Sequence, residues 1–115
     1  MKTVLYHNPR CSKSRAALTL LELRGEKIEI VHYLDTPPSE TELAAVLKKL
    51  AIPARALIRT KEPLYRKLGL DEPTLSERDL VRALAANPVL IERPIAIRGK
   101  RAIIGRPPEK VLELL

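Results

Sequence analysis

Apolar and polar positions change period along this chain, and the changes mark its elements. Val4, Leu5 and Tyr6 form a short apolar run closed by Asn8-Pro9, which predicts a buried strand over Thr3–Tyr6. From about Ser12 to Arg24 the chain is rich in Ala and Leu. Ala17, Leu20 and Leu21 share one helical face there, and Gly25 is a natural stop. Ile28–Tyr33 then alternates, with Ile28, Ile30 and His32 set against Glu29, Val31 and Tyr33, and predicts a second strand. Strand, helix and strand within about thirty residues make a βαβ unit, which requires a right-handed crossover and a parallel pair.

Thr36-Pro37-Pro38 ends that unit. Ser39-Glu40-Thr41-Glu42 is a capping box, and the helix it opens carries Leu43, Val46, Leu47 and Leu50 on one face. Short helices broken by Pro53, Pro63, Gly69 and Pro73 follow. Ser76-Glu77-Arg78-Asp79 opens another helix, with Leu80, Val81 and Leu84 inward, that ends near Asn87-Pro88. Two apolar strands come next, Ile95–Arg98 and Arg101–Ile104. Gly99-Lys100 between them fits a type II′ hairpin turn. Gly105-Arg106-Pro107-Pro108 leads into a final helix with Val111, Leu112 and Leu115 apolar. The expected fold is α/β: a thioredoxin-like sheet built from a βαβ half (1–36) and a ββα half (89–115), with a helical insertion at 37–88, all in one domain.

Composition narrows the class without changing that picture. The 115 residues are 45% hydrophobic and carry mixed charge, as a soluble globular chain does. No apolar run approaches the roughly 20 residues of a spanning helix, and the N-terminus lacks the pattern of a signal peptide. A cytoplasmic protein with no membrane association is expected. The net charge of +7 raises nucleic acid as a partner. However, the Lys and Arg residues are scattered, only three tyrosines are present and Phe and Trp are absent, so nucleic acid is not expected. A smaller anion suits isolated arginines better.

The single cysteine, Cys11, stands where the first strand hands over to the first helix. A lone cysteine is often only a small buried hydrophobe. Here Arg10, Ser12, Lys13, Ser14 and Arg15 surround it with polar and basic groups, and free N–H groups of the helix start favour an anion. These features point to a thiolate, the reactive form. Ser14 and His7 can each reach the sulfur from such a loop, although His7 could equally serve to satisfy the loop, and His32 reads as structural. Position 14 is Ser, so there is no Cys-x-x-Cys redox pair and no cysteine zinc site. Any disulfide step needs a thiol from another molecule. Arg59, Arg93 and Arg106 are each ordinary surface residues or, if they converge, an oxyanion site. No metal cluster and no bound cofactor is expected.

The motifs resemble those of the glutaredoxin-linked arsenate reductases. They run nearly end to end: Tyr6-His7-Asn8-Pro9-x-Cys11-x-x-Ser14-Arg15, His32-Tyr33-Leu34-x-Thr36-Pro37-Pro38, Arg55-Ala56-Leu57-x-Arg59, Leu68-Gly69-Leu70, Pro88-x-Leu90-Ile91-x-Arg93-Pro94-Ile95, and Arg106-Pro107-x-Glu109-x-Val111-Leu112-Glu113. The resemblance implies Cys11 as nucleophile, His7 and Ser14 as neighbours that depress its pKa, and Arg59, Arg93 and Arg106 as the oxyanion-binding arginines. It also implies a cis-proline at Pro94 beside the site. The substrate would be arsenate, with glutathione as co-substrate and glutaredoxin as partner. Two other functions fit less of the pattern. A glutathione-dependent thiol oxidoreductase does not need three arginines. The related Spx proteins, which bind RNA polymerase, typically carry the second cysteine that Ser14 replaces.

Overall fold

Strand β1 (Thr3–Tyr6) lies inside a four-stranded sheet of order β2-β1-β3-β4, with β2 at Ile28–Val31, β3 at Ile95–Arg98 and β4 at Arg101–Ile104. The computed structural model describes residues 2–115. β1 runs parallel to β2, with Thr3 opposite Ile28 and Tyr6 opposite Val31. It runs antiparallel to β3, with Leu5 opposite Ala96. β3 and β4 form the hairpin, where Arg98 faces Arg101 and only Gly99 has a positive φ, as a type II′ turn requires. The sheet is thus mixed, and the thioredoxin-like α/β class read from the pattern is the class observed.

Helix α1 (Ser12–Leu23) crosses from β1 to β2. Its apolar face packs with the sheet and the C-terminal turn in one core of Leu5, Ala17, Leu21, Ala96, Val111 and Leu114. The helix stops in a Schellman arrangement. Glu26 N–H donates to Leu21 O and Gly25 N–H to Glu22 O, with Gly25 at φ 71° where a side chain would be strained. These elements form the first compact unit, comprising the described residues up to Thr36 and Arg93–Leu115.

The second unit is Pro37–Glu92 and is helical: α2 (Glu40–Leu50), α3 (Ala54–Leu57), α4 (Pro63–Lys67), α5 (Glu77–Ala86) and a 3₁₀ turn at Pro88–Leu90. The capping box expected at Ser39 forms with Glu42 on α2, and Ser76 and Asp79 form a second one on α5. Leu43, Val46, Leu47, Leu57, Leu80 and Leu84 are buried in this unit. The Glu77 carboxylate accepts the Ala54 N–H at the start of α3. Residues 89–92, expected with the sheet, are held here instead. Ile91 bridges Ile58, Arg59 N–H donates to Leu90 O, and Glu92 N–H donates to Leu57 O.

Two element boundaries differ from the pattern. β2 ends at Val31, not Tyr33, because the chain turns on His32, whose carbonyl accepts the N–H groups of Asp35 and Thr36. The final helix is a 3₁₀ segment, Pro108–Leu114, where Lys110 N–H reaches Pro107 O and Leu115 N–H reaches Leu112 O.

Candidate functional site

The site grows from the carboxyl end of β1. His7 follows the strand and its N–H still donates to Val31 O, which extends the parallel ladder by one bond. Asn8 and Pro9 then turn the chain. The Cys11 N–H donates to Asn8 O (3.0 Å), the Arg10 N–H to Asn8 Oδ1 (3.0 Å), and the Arg15 side chain to Pro9 O (2.9 Å). Bonds from the strand, the loop and the helix therefore hold the loop in one shape. Cys11 is the N-cap residue of α1, with extended φ/ψ of −94° and 122°, and it is buried.

Opposing effects set the thiol's acidity. Burial raises it; the Ser14 N–H, the positive charge of Arg93, the Lys13 N–H and a hydrogen bond from the Arg93 side chain outweigh burial and lower it below the ordinary thiol value. The helix start and one arginine therefore stabilise the same anion.

The Ser14 hydroxyl is engaged elsewhere. Its Oγ lies 2.7 Å from His7 Nδ1 and accepts the Asn8 N–H at 3.0 Å. The part of Ser14 that acts on the sulfur is its backbone N–H. His7 is buried, and burial, then His32 and Arg15, lowers its pKa, so the ring is neutral at physiological pH. A neutral ring with its proton on Nε2 accepts the Ser14 hydroxyl at Nδ1. That bond ties the strand end to the first turn of α1. The His7 and His32 rings lie 6.1 Å apart, centroid to centroid.

Arg93 and Arg106 belong to the same unit as Cys11. Arg106 donates to the Arg93 carbonyl at 3.2 Å, which links the two arginine positions. The Arg93–Pro94 peptide is cis, and so is Arg106–Pro107. Gly105 packs against the first of these: its N–H donates to Pro94 O (2.9 Å). A Cβ on Gly105 would stand 2.9 Å from both the Pro94 ring and a Val111 methyl, so any side chain would force one or both to shift. Arg59 is in the helical unit. Its guanidinium pairs there with Glu62 at 3.0 Å and donates to Val89 O at 3.4 Å.

One unit thus gathers His7, Cys11, Ser14, Arg93, Pro94 and Arg106. Sequence reasoning expected N–H groups of the helix start at the sulfur without naming Lys13, and it missed the Arg15 clamp on Pro9 and the close packing at Gly105. The first two follow from placing an N-cap at Cys11, whereas the third needs the tertiary contact. Beside the loop lies a cleft of about 380 Å³, walled by the run His7–Arg10 on one side and by His32, Leu34 and Asp35 on the other. Among the described residues no helix is long and apolar enough to cross a membrane.

The sequence matches the ArsC family over residues 6–114. It is 51% identical over 112 residues to an arsenate reductase of Neisseria meningitidis serogroup A, with 96% of each chain covered. It is 50% identical over 112 residues to the uncharacterized protein YfgD of Escherichia coli (strain K12), covering 96% of this chain and 94% of that one. Among solved structures, an arsenate reductase from Vibrio cholerae superposes with a TM-score of 0.98 at 47% identity, covering 100% of this chain and 98% of that one.

Proposed function

The chain belongs to the ArsC family, and on that premise we propose that it is an arsenate reductase with Cys11 as nucleophile. The observation that carries the reading is the thiol itself, held at a helix N-cap against the Ser14 and Lys13 N–H groups and Arg93, with its pKa lowered. Relatives named arsenate reductase at about half identity support arsenate as the substrate.

Arsenate is an oxyanion near neutral pH, and Arg93 and Arg106 are the proposed donors to it from the Cys11 unit. Arg59, in the helical unit, keeps only the role that its motif implies, that of an oxyanion-binding arginine. Cys11 sulfur attacks arsenic, an S–As bond forms, and one arsenate oxygen leaves as water. A glutathione thiol adds next, forming a second S–As bond and releasing a second water. A glutaredoxin thiol then attacks the glutathione sulfur. The new disulfide carries away the glutathione, and the S–As electron pair stays on arsenic, which falls from As(V) to As(III). Water hydrolyses the remaining Cys11–arsenic bond to give arsenite and the free thiol. Two thiols are oxidised and one arsenic is reduced by two electrons, so the sequence balances. A single cysteine in the chain supports an outside reductant, and glutathione chemistry implies a reducing, cytoplasmic setting.

The test is arsenate-dependent NADPH oxidation with glutathione, glutathione reductase and glutaredoxin present. Turnover that needs all components is expected. Absence of turnover above background, from folded protein with a titratable Cys11, overturns the reading.

A further inference from the structure

The reduction scheme needs a second thiol at Cys11, and nothing in it says where that thiol's carrier rests. We propose that the cleft beside the Cys loop is the seat of glutathione, an inference that rests on the arsenate reductase reading for its role but not for its binding. The cleft and the nucleophile share a wall. Pro9 and Arg10 line the cavity and Cys11 is the next residue, one Cα step of about 3.8 Å away. At about 380 Å³ the cavity falls in the range of roughly 300–1,000 Å³ typical of small-ligand clefts.

Its charges complement those of the tripeptide. Glutathione near neutral pH carries two carboxylates and one ammonium, with the thiol on the central residue between them. The cleft offers two groups able to meet carboxylates, the Arg10 guanidinium and the His32 imidazole, and one carboxylate, Asp35, for the ammonium. The Arg10 and Asp35 side chains make no hydrogen bond or ion pair with one another or with any other described residue, so a ligand would displace no internal bond at either. Pro9 and Leu34, the latter 39% exposed, give apolar surface for the tripeptide's methylene groups. Inorganic arsenate has no ammonium and no apolar part, so Asp35 and Leu34 disfavour it here. The two reactants therefore have separate seats, arsenate with the arginines and glutathione in the cleft.

The experiment uses S-methylglutathione, which keeps every charge of glutathione but cannot form a disulfide or bind arsenic. Titrated into the wild-type protein, it should move backbone amide NMR signals of Asn8, Arg10 and His32–Asp35. Arg10→Gln and Asp35→Asn should each weaken that binding roughly two- to fivefold, the range of a solvent-exposed charge contact. In the coupled assay the same variants should raise the KM for glutathione by a similar factor while the KM for arsenate stays within about twofold. Shifts confined to other residues, or a KM for glutathione indifferent to both substitutions, would overturn the cleft assignment. If the wild type turns over no arsenate, the function reading fails alone, because the titration still reports on the cleft.

Discussion

Helices α2 and α5 open on serine, and α1 opens on cysteine; the difference separates a structural use of a helix N-terminus from a chemical one. Ser39 accepts the Glu42 N–H at 3.1 Å and Glu42 returns the bond to the Ser39 N–H at 3.0 Å. Ser76 and Asp79 repeat the exchange at 3.1 and 3.0 Å, and the bonds from Ser76 hold the Asp79 carboxyl below its usual range. Both helices carry acidic residues in the first turn, Glu40 and Glu42 on one, Glu77 and Asp79 on the other. Cys11 adopts the same extended cap conformation, yet its side chain makes no capping hydrogen bond and the first turn of α1 has no acid. A thiol is a weak acceptor until it ionises. The N–H groups that a serine would satisfy are thus kept for a thiolate, and no carboxylate competes with it.

Exchanging the cap residue breaks this contrast most sharply. Cys11→Ser should reduce arsenate turnover to background while leaving the fold intact. It should also raise stability, by up to about 1 kcal/mol in urea unfolding, because serine is a preferred N-cap. A Cys11→Ser protein that is clearly less stable would mean the cap site is shaped for sulfur rather than left open. Arg93→Gln is the next largest change. The reactive thiolate fraction grows as pH rises through the folded pKa, and in the wild type that pKa lies below the ordinary thiol value. Removing the guanidinium should move the pH profile of iodoacetamide alkylation upward and slow the reaction at pH 7. Once the pKa stands above the assay pH, each further unit lowers the thiolate fraction about tenfold. An unmoved profile would assign the whole effect to the N–H groups of Lys13 and Ser14.

The same contrast explains what could be read from the chain. The Ser39 capping box and the helix start at Ser76 were legible because the signal is local: a serine, a carboxylate three residues on, and an apolar run behind them. Cys11 was legible for a related reason, since its basic neighbours and the strand-to-helix position are sequence facts. The direction of the Ser14 hydroxyl was not, because His7 and Asn8 compete for it only once β1 fixes where they lie. Gly105 reads only as part of the run into the last helix, and its true constraint is the close approach of the Pro94 ring and Val111. The early end of β2 likewise follows from the turn on the His32 carbonyl, which alternation of side chains does not encode.

Ser39→Ala gives the smallest effect and isolates the structural half of the comparison. The substitution removes the acceptor for the Glu42 N–H but leaves the Ser39 N–H to Glu42 carboxylate bond available to Ala, so only one side of the box is lost. An N-cap serine replaced by alanine costs about 0.5–2 kcal/mol, and the lower half of that range applies when the reciprocal bond survives. A loss near 1 kcal/mol lowers the melting temperature by a few degrees in a chain of this size. The pH profile of Cys11 alkylation should not move, because the lost bond lies in the helical unit and none of the groups that tune the thiol belongs to it. Calorimetry and alkylation kinetics on one preparation read both quantities. A shifted thiol profile with unchanged stability would reverse the assignment and make the cap of α2 part of the chemistry.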